Sequence, residues 1–174
     1  MNNINQKNDI IEFVSSIITN KEGNVLILKR RDTLKLDPGK YDMCSGHMQK
    51  GEVPMQSLYR ELLEETGITQ NDIKKMEHLG DIATPHPKFP NTTTHIYHVL
   101  IDLELEDINK RIQKTKNREM EYGKYVKDIN TLRQIHQRTN FIRTKYTEET
   151  GKIYQSLEQK LKDRKELKYK CEEK

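Results

Sequence analysis

Apolar positions along the chain fall into short runs separated by turn-forming residues. Residues 10–19 (IIEFVSSIIT) and 24–30 (NVLILKR) are β-branched and aliphatic, and the NKEGN between them supplies a Gly-containing turn, so a hairpin is expected. DPGKYDMCSG reads as a turn and a short strand ending at Gly46. VPMQSLYRELLEETG is expected to be a helix, with Pro54 in its first turn and Gly67 at its C-terminal cap. A strand over residues 76–83 follows, then TPHPKFPNT, which holds three of the five prolines and reads as a stiff loop. THIYHVLIDLEL (94–105) has the partial alternation of a long strand, residues 103–118 form a polar connection, and EMEYGKYV reads as a last strand. Asp128 is placed to cap a helix opening at DINTLRQIHQ, and a tail helix over about 147–168 spaces Ile153, Leu157 and Leu161 four apart. Strands alternating with helices, without repeats or a low-complexity linker, predict one mixed α/β domain over residues 1–145, with 146–174 as a C-terminal helix packed on it.

The helix over 53–67 carries a feature that its own physics disfavours. Glu61, Glu64 and Glu65 crowd three charges towards its C-terminal end. Like charges three and four residues apart repel by about 0.2–0.5 kcal/mol per pair, and carboxylates sit badly at the negative end of the helix dipole. At about 100° per residue, with Glu61 at zero, Glu64 falls near −60° and Glu65 near +40°, while Leu58, Leu62, Met55, Tyr59 and Leu63 span roughly 60° to 200°. An inward apolar face with an adjoining carboxylate strip is therefore expected. A solvated acidic face has the same pattern, but residues that oppose their own helix tend to mark functional sites. A hard cation such as Mg2+ or Mn2+ turns the repulsion into attraction and shares its shell with phosphates and water. Arg60, four residues before Glu64, is placed to orient that carboxylate or meet a phosphate. Glu52 lies just ahead of the helix, within reach of the strip, and Gly46 lets backbone approach a ligand closely.

Composition narrows the class. The 174 residues are 33% hydrophobic and 33% charged, enough for one domain with a proper core. No apolar run approaches the ~20 residues that cross a bilayer, and MNNINQKNDIIEF lacks the basic-then-apolar order of a signal peptide. Two distant cysteines, Cys44 and Cys171, make neither a disulfide framework nor a metal knuckle. A cytoplasmic protein without a membrane partner is expected. The net charge of +4 is uneven: residues 1–110 hold 13 Lys/Arg against 17 Asp/Glu, and residues 111–174 hold 18 against 10. LEQKLKDRKELKYKCEEK nevertheless interleaves acids with bases, as a solvated helix face does, so a nucleic-acid partner is not expected.

Gly46, Glu52 and the run Arg60-Glu61-Leu62-Leu63-Glu64-Glu65-Thr66-Gly67-Ile68 match the Nudix box at every position, and seven fixed residues coincide by chance about once in 10⁹ trials. The chain resembles the Nudix hydrolases. The resemblance implies an α/β/α sandwich around a mixed sheet, here with additional C-terminal helices, and hydrolysis of a diphosphate linkage in a nucleoside diphosphate joined to another moiety. It implies Mg2+ or Mn2+ held by Glu61, Glu64 and Glu65 with the Gly46 carbonyl, and Arg60 and Glu52 as orienting residues. In the family the base sometimes lies near the last strand, where Glu119 and Glu121 are the candidates.

The substrate's other half is less defined. Lys29, Arg30 and Arg31 end a strand, and Arg30 is the candidate for a phosphate; Phe89 is placed to stack on a base. His95 and His98, three apart on one strand, face opposite ways and do not make one metal site. KYDMCSGHMQKGE also resembles the type 1 isopentenyl diphosphate isomerases, which share the Nudix scaffold, and His47 matches a metal-binding histidine there. The catalytic cysteine of those isomerases would fall at Ser45, with Cys44 one position early and so on the other face. Isomerase-like activity and a catalytically silent nucleotide-binding module are the alternatives to a small-molecule diphosphate hydrolase, and a homodimer is admitted.

Overall fold

Strand β1 (Ile11–Thr19) organises the sheet. In the computed structural model, which describes residues 11–35, 37–83, 92–127, 152–153 and 155–163, β1 turns into β2 (Val25–Arg30) through the expected loop. The Asn20 side chain accepts the Asn24 N–H at 2.9 Å, and Gly23 takes the positive φ of 76° that the turn needs. The hairpin pairs only at Ile18–Leu26 and Thr19–Val25. The earlier part of that edge, from Phe13 to Ser16, takes β4 (Cys44–His47) instead.

The other edge of β1 carries β6 (Thr92–Ile101), parallel along its whole length, and β5 (Ile73–Ala83) runs antiparallel outside it. β3 (Tyr41–Asp42) and β7 (Met120–Val126) both pair with β2. The resulting sheet is mixed, in the order β3-β2-β1-β6-β5 with β4 on β1 and β7 on β2.

Alternation along the central strands builds a core on each face. One face packs Val14, Ile18, Leu26, Leu28 and Val99 against Leu58 and Leu62 of α1 (Pro54–Thr66) and Ile108 and Ile112 of α2 (Leu105–Ile112). The opposite face packs Ile17, Val25, Ile27 and Ile96 against Leu157 and Leu161, from the helical residues 155–163. Each fully buried aliphatic side chain contributes about 1.5–3 kcal/mol. The architecture is the expected α/β/α sandwich.

Three boundaries differ from expectation. The strand expected over 94–105 stops at Ile101, and a helix occupies part of the polar connection. Leu105, Ile108 and Ile112 recur at i, i+3 and i+7, with Glu106 and Asp107 in the first turn and Lys110 and Arg111 in the last, each suited to the dipole. β5 begins at Ile73, three residues earlier than expected. The short strand before the helix breaks at Met43, because β3 follows β2 while β4 follows β1. The proline-rich loop from 84 to 91 and the helix expected from Asp128 lie outside the described residues.

Candidate active site

Helix α1 turns a different face to the sheet from the one its apolar residues define. Leu58 and Leu62 are buried as expected, but Met55 and Leu63 are 48% and 53% exposed, while Ser57, Glu61, Glu65 and Thr66 are buried. The inward face is rotated by roughly 80° towards the carboxylates. Glu61 and Glu65 do not adjoin the packed face; they belong to it.

What receives them is β4. A Cβ on Gly46 would lie 1.9 Å from Glu61 Cδ, so only glycine leaves room for that carboxylate. The Ser45 N–H donates to Glu65 Oε2 at 3.1 Å. Arg60 gathers the rest. Its Nε and Nη2 donate to the two oxygens of Glu52 at 2.7 and 3.0 Å, Nη1 donates to Glu61 Oε1, and the same nitrogen lies 3.5 Å from Glu64 Oε2. Nη2 also donates to the His47 carbonyl at 2.9 Å and to Ser57 Oγ at 3.1 Å. One guanidinium thereby fixes three carboxylates relative to the β4 backbone.

The electrostatics divide these carboxylates into two kinds. The Arg60 hydrogen bonds pull Glu52 down to about 2. Burial pushes Glu61 above the usual carboxylate range. Burial pushes Glu65 well above it, with the charges of Glu61 and Asp42 adding to the effect. The fold holds two carboxyl groups where a second positive charge would stabilise both. Carboxylate oxygens beside a backbone carbonyl are the donor set of a hard divalent cation.

The other predicted residues separate into those near this cluster and those away from it. Glu64 sits at its rim and accepts from Asn117 Nδ2 at 3.0 Å. The charge of Glu119 reaches both Glu61 and Glu65, whereas Glu121 pairs with Lys29 at 3.1 Å. Arg30 Nη1 lies 3.9 Å from Asp42 Oδ2 and 4.0 Å from Glu119. The His47 ring stands edge-to-face with Phe13 at 5.4 Å, and alternation along β4 puts it on the face opposite the Gly46–Glu61 contact. The structure does not bring that ring to the carboxylates. Cys44 is fully buried on the α1 side, where burial and the neighbouring Glu65 and Glu61 charges push its thiol up. His95 contacts Asp81 and Glu12, while His98 hydrogen-bonds Thr19 Oγ1 at 2.8 Å from the other face. Phe89 lies outside the described residues.

A family model for the NUDIX domain matches residues 13–140, which span most of β1, all of β2 to β7 and the motif from Gly46 to Ile68. The chain belongs to the Nudix family. Over 61 residues it is 36% identical to an RNA pyrophosphohydrolase of Mannheimia succiniciproducens, a match covering 35% of this chain and 28% of that protein. The chain thus matches less than a third of that relative's length. Among solved structures, the binary complex of a C. elegans Ap4A hydrolase aligns with a TM-score of 0.60 at 16% identity, covering 88% of this chain and 99% of that one. A MutT protein from Methanosarcina mazei aligns with a TM-score of 0.57 at 17% identity, covering 88% and 96%. At such identities these structures speak for the fold alone.

Two residues of this Nudix domain's site were not picked out from its sequence. Asp42 is buried, accepts the Met43 N–H at 2.8 Å and is raised by burial to about 6. Counting back by twos from Gly46 through Cys44 reaches it, so strand alternation is the signal that finds it. Asn117 carries no such signal, because it reaches Glu64 only after α2 has folded back beside α1. No helix among the described residues is long and apolar enough to cross a membrane.

Proposed function

We propose that this protein is a divalent-metal-dependent pyrophosphohydrolase, cleaving the diphosphate linkage of a nucleoside diphosphate joined to another group or of a related small molecule. The observation that carries the proposal is the Glu61 carboxylate seated on the backbone of Gly46, with Glu65 buried beside it and Glu64 at the rim. In this reading Glu61, Glu64, Glu65 and the Gly46 carbonyl hold Mg2+ or Mn2+. Bound there, a divalent ion would neutralise charge on the phosphate oxygens and lower the pKa of an attacking water.

The chain's own residues prepare that chemistry. Arg60 and Glu52, joined by a bidentate pair, hold the Glu61 carboxylate in place before substrate arrives. Glu119, whose charge adds to the upward push on Glu65, Glu121, or one of the cluster's own carboxylates takes the proton from the water. Arg30 is assigned to a phosphate and Phe89 to the remainder of the substrate; His47, whose ring packs on Phe13 on the opposite face of β4, is not given that role. Residues 1–145 form the catalytic unit and 146–174 a helix packed on it, a division supported by Leu157 and Leu161 in the far-face core. The proposal includes a cytoplasmic location and admits a homodimer.

A panel of nucleoside triphosphates, ADP-ribose, dinucleoside polyphosphates, nucleotide sugars, coenzyme A, isopentenyl diphosphate and RNA with a 5′-terminal polyphosphate tests the reading. Two of these classes are suggested by the relatives' names, RNA pyrophosphohydrolase and Ap4A hydrolase. Turnover of at least one compound, abolished by EDTA and restored by Mg2+ or Mn2+, is expected. Full turnover in excess EDTA after dialysis would remove the metal from the proposal. Saturable binding without turnover across the panel would replace it with the binding-module reading.

A further inference from the structure

Away from the carboxylate helix, a bulge in β5 gathers a second set of potential metal ligands. Residues three apart in a regular strand face opposite sides, yet His78 and Asp81 share one. The register explains it: His78 pairs with Tyr97, Gly80 with Ile96 and Asp81 with His95, so Leu79 is an extra residue. Gly80 adopts a φ of +145°, which glycine alone takes readily, and Ile153 Cδ1 lies 3.2 Å from where its Cβ would stand. Such bulges re-aim side chains. This one turns His78 and Asp81 towards His95.

Asp81 Oδ1 lies 2.7 Å from His78 Nε2 and 2.7 Å from His95 Nδ1, and His95 Nε2 lies 3.2 Å from Glu12 Oε1. Both ring nitrogens of His95 therefore face carboxylates, whereas a neutral imidazole carries a single N–H. One way to satisfy both is for Nε2–H to donate to Glu12 while Nδ1 turns its lone pair to a cation shared with Asp81. A carboxylate on the far nitrogen is the usual support of a metal-ligating histidine. One ligand atom from each of His78, Asp81 and His95 lies within 4.8 Å of the others.

We infer that His78, Asp81 and His95 form a second metal site, taking a borderline transition-metal ion such as Zn2+, with Glu12 orienting His95. Two imidazole nitrogens and one carboxylate suit Zn2+ or Co2+ and not Mg2+, which prefers oxygen alone. Ligand atoms around a four-coordinate ion with bonds near 2.0–2.1 Å stand about 3.3 Å apart, so the Asp81 oxygen moves outward by about half an ångström and the two ring nitrogens, within 4.8 Å of each other, adjust to the same spacing. The half-exposed position of Asp81 leaves room for that. Each imidazole binds the ion as the neutral ring, with its one proton on the nitrogen turned away from the metal. The site is separate from the carboxylate cluster. Asp81, His95, Val14 and Gly46 stand in register across four neighbouring strands, which at ~4.8 Å per strand puts Asp81 roughly 14 Å from Gly46. A metal there ties β5 to β6 and, through Glu12, to β1.

The test titrates the full-length protein with Co2+ in excess Mg2+, which occupies the oxygen-only cluster, and follows the visible d–d absorption. One equivalent is expected to bind with the intense bands of a low-coordinate nitrogen-containing shell, and Zn2+ is expected to displace it. His78→Ala and His95→Asn are each expected to abolish the bands, and Glu12→Gln to weaken binding about 10–100-fold. Should His95→Asn fail to fold, His78→Ala decides, because its side chain is exposed and a melt in EDTA reports its fold. Bands of parental strength and stoichiometry in folded His78→Ala would overturn the inference, as would no Co2+ bound by the parent.

Discussion

Glu65 combines a carboxylate, full burial and two acidic neighbours, and an apo protein gains nothing from that combination. Glu65→Gln keeps the shape and leaves an oxygen for the Ser45 N–H. If the cluster holds metal, kcat falls by at least two orders of magnitude, while the apo fold melts at the same temperature or higher, because a buried like charge has gone. Mg2+-dependent turnover measured beside a melt in EDTA checks both halves, and a solvated acidic face would leave both unchanged. Asp42 gives a pH signature of the same physics. Its folded pKa, about 6, exceeds the unfolded 3.8, so the folded state holds the proton more tightly. Stability from this group is present below about pH 4 and is lost as pH rises towards 6, by about 3 kcal/mol in all. In EDTA, Asp42→Asn should match the parent near pH 4 and melt above it at pH 7.5; equal melting at both would remove Asp42 as a buried acid.

At the scale of elements, α1 and β5 show how a neighbour re-aims a pattern. Apolar positions on α1 point its inward face near 130° on the wheel, but Gly46 supplies a floor without a side chain beneath Glu61 and the helix settles near 50°. Met55 and Leu63 are left half-exposed as a result. β5 depends on a helix distant in sequence, since Gly80 at its bulge lies against Ile153. The helical residues 155–163 cover the far face through Leu157 and Leu161. Leu157→Ala is expected to cost about 2–5 kcal/mol, read as a lower denaturation midpoint, with kcat per folded molecule preserved because the carboxylate cluster lies on the other face. A loss of kcat without a loss of stability would put this helix in the catalytic machinery.

Across the whole molecule, the basic C-terminal part does not behave as a free cationic arm where it is described. Lys160 pairs with Glu77 on β5, and Lys162 pairs with Glu158 at 2.9 Å within its own helix. Fluorescence anisotropy with duplex DNA or RNA is therefore expected to show no binding tighter than the non-specific range of about 10⁻⁴–10⁻⁶ M; tight binding that salt weakens would contradict this. The sequence by itself determined the strand runs β1, β2 and β7, the extent of α1 and the residues of its carboxylate cluster, because periodicity, caps and i, i+3, i+4 spacing are properties of a few neighbouring residues. It also held the signals for α2 and Asp42, in the i, i+3, i+7 spacing of Leu105, Ile108 and Ile112 and in the alternation back from Gly46. Only the tertiary structure decided which face of α1 is buried, that Glu121 pairs with Lys29, that the His47 ring points away from the carboxylate cluster, and that His78, Asp81 and His95 meet. Each of these depends on pairings between residues far apart in the chain, such as Val14 with both Gly46 and His95, and no local pattern encodes the register that brings them together.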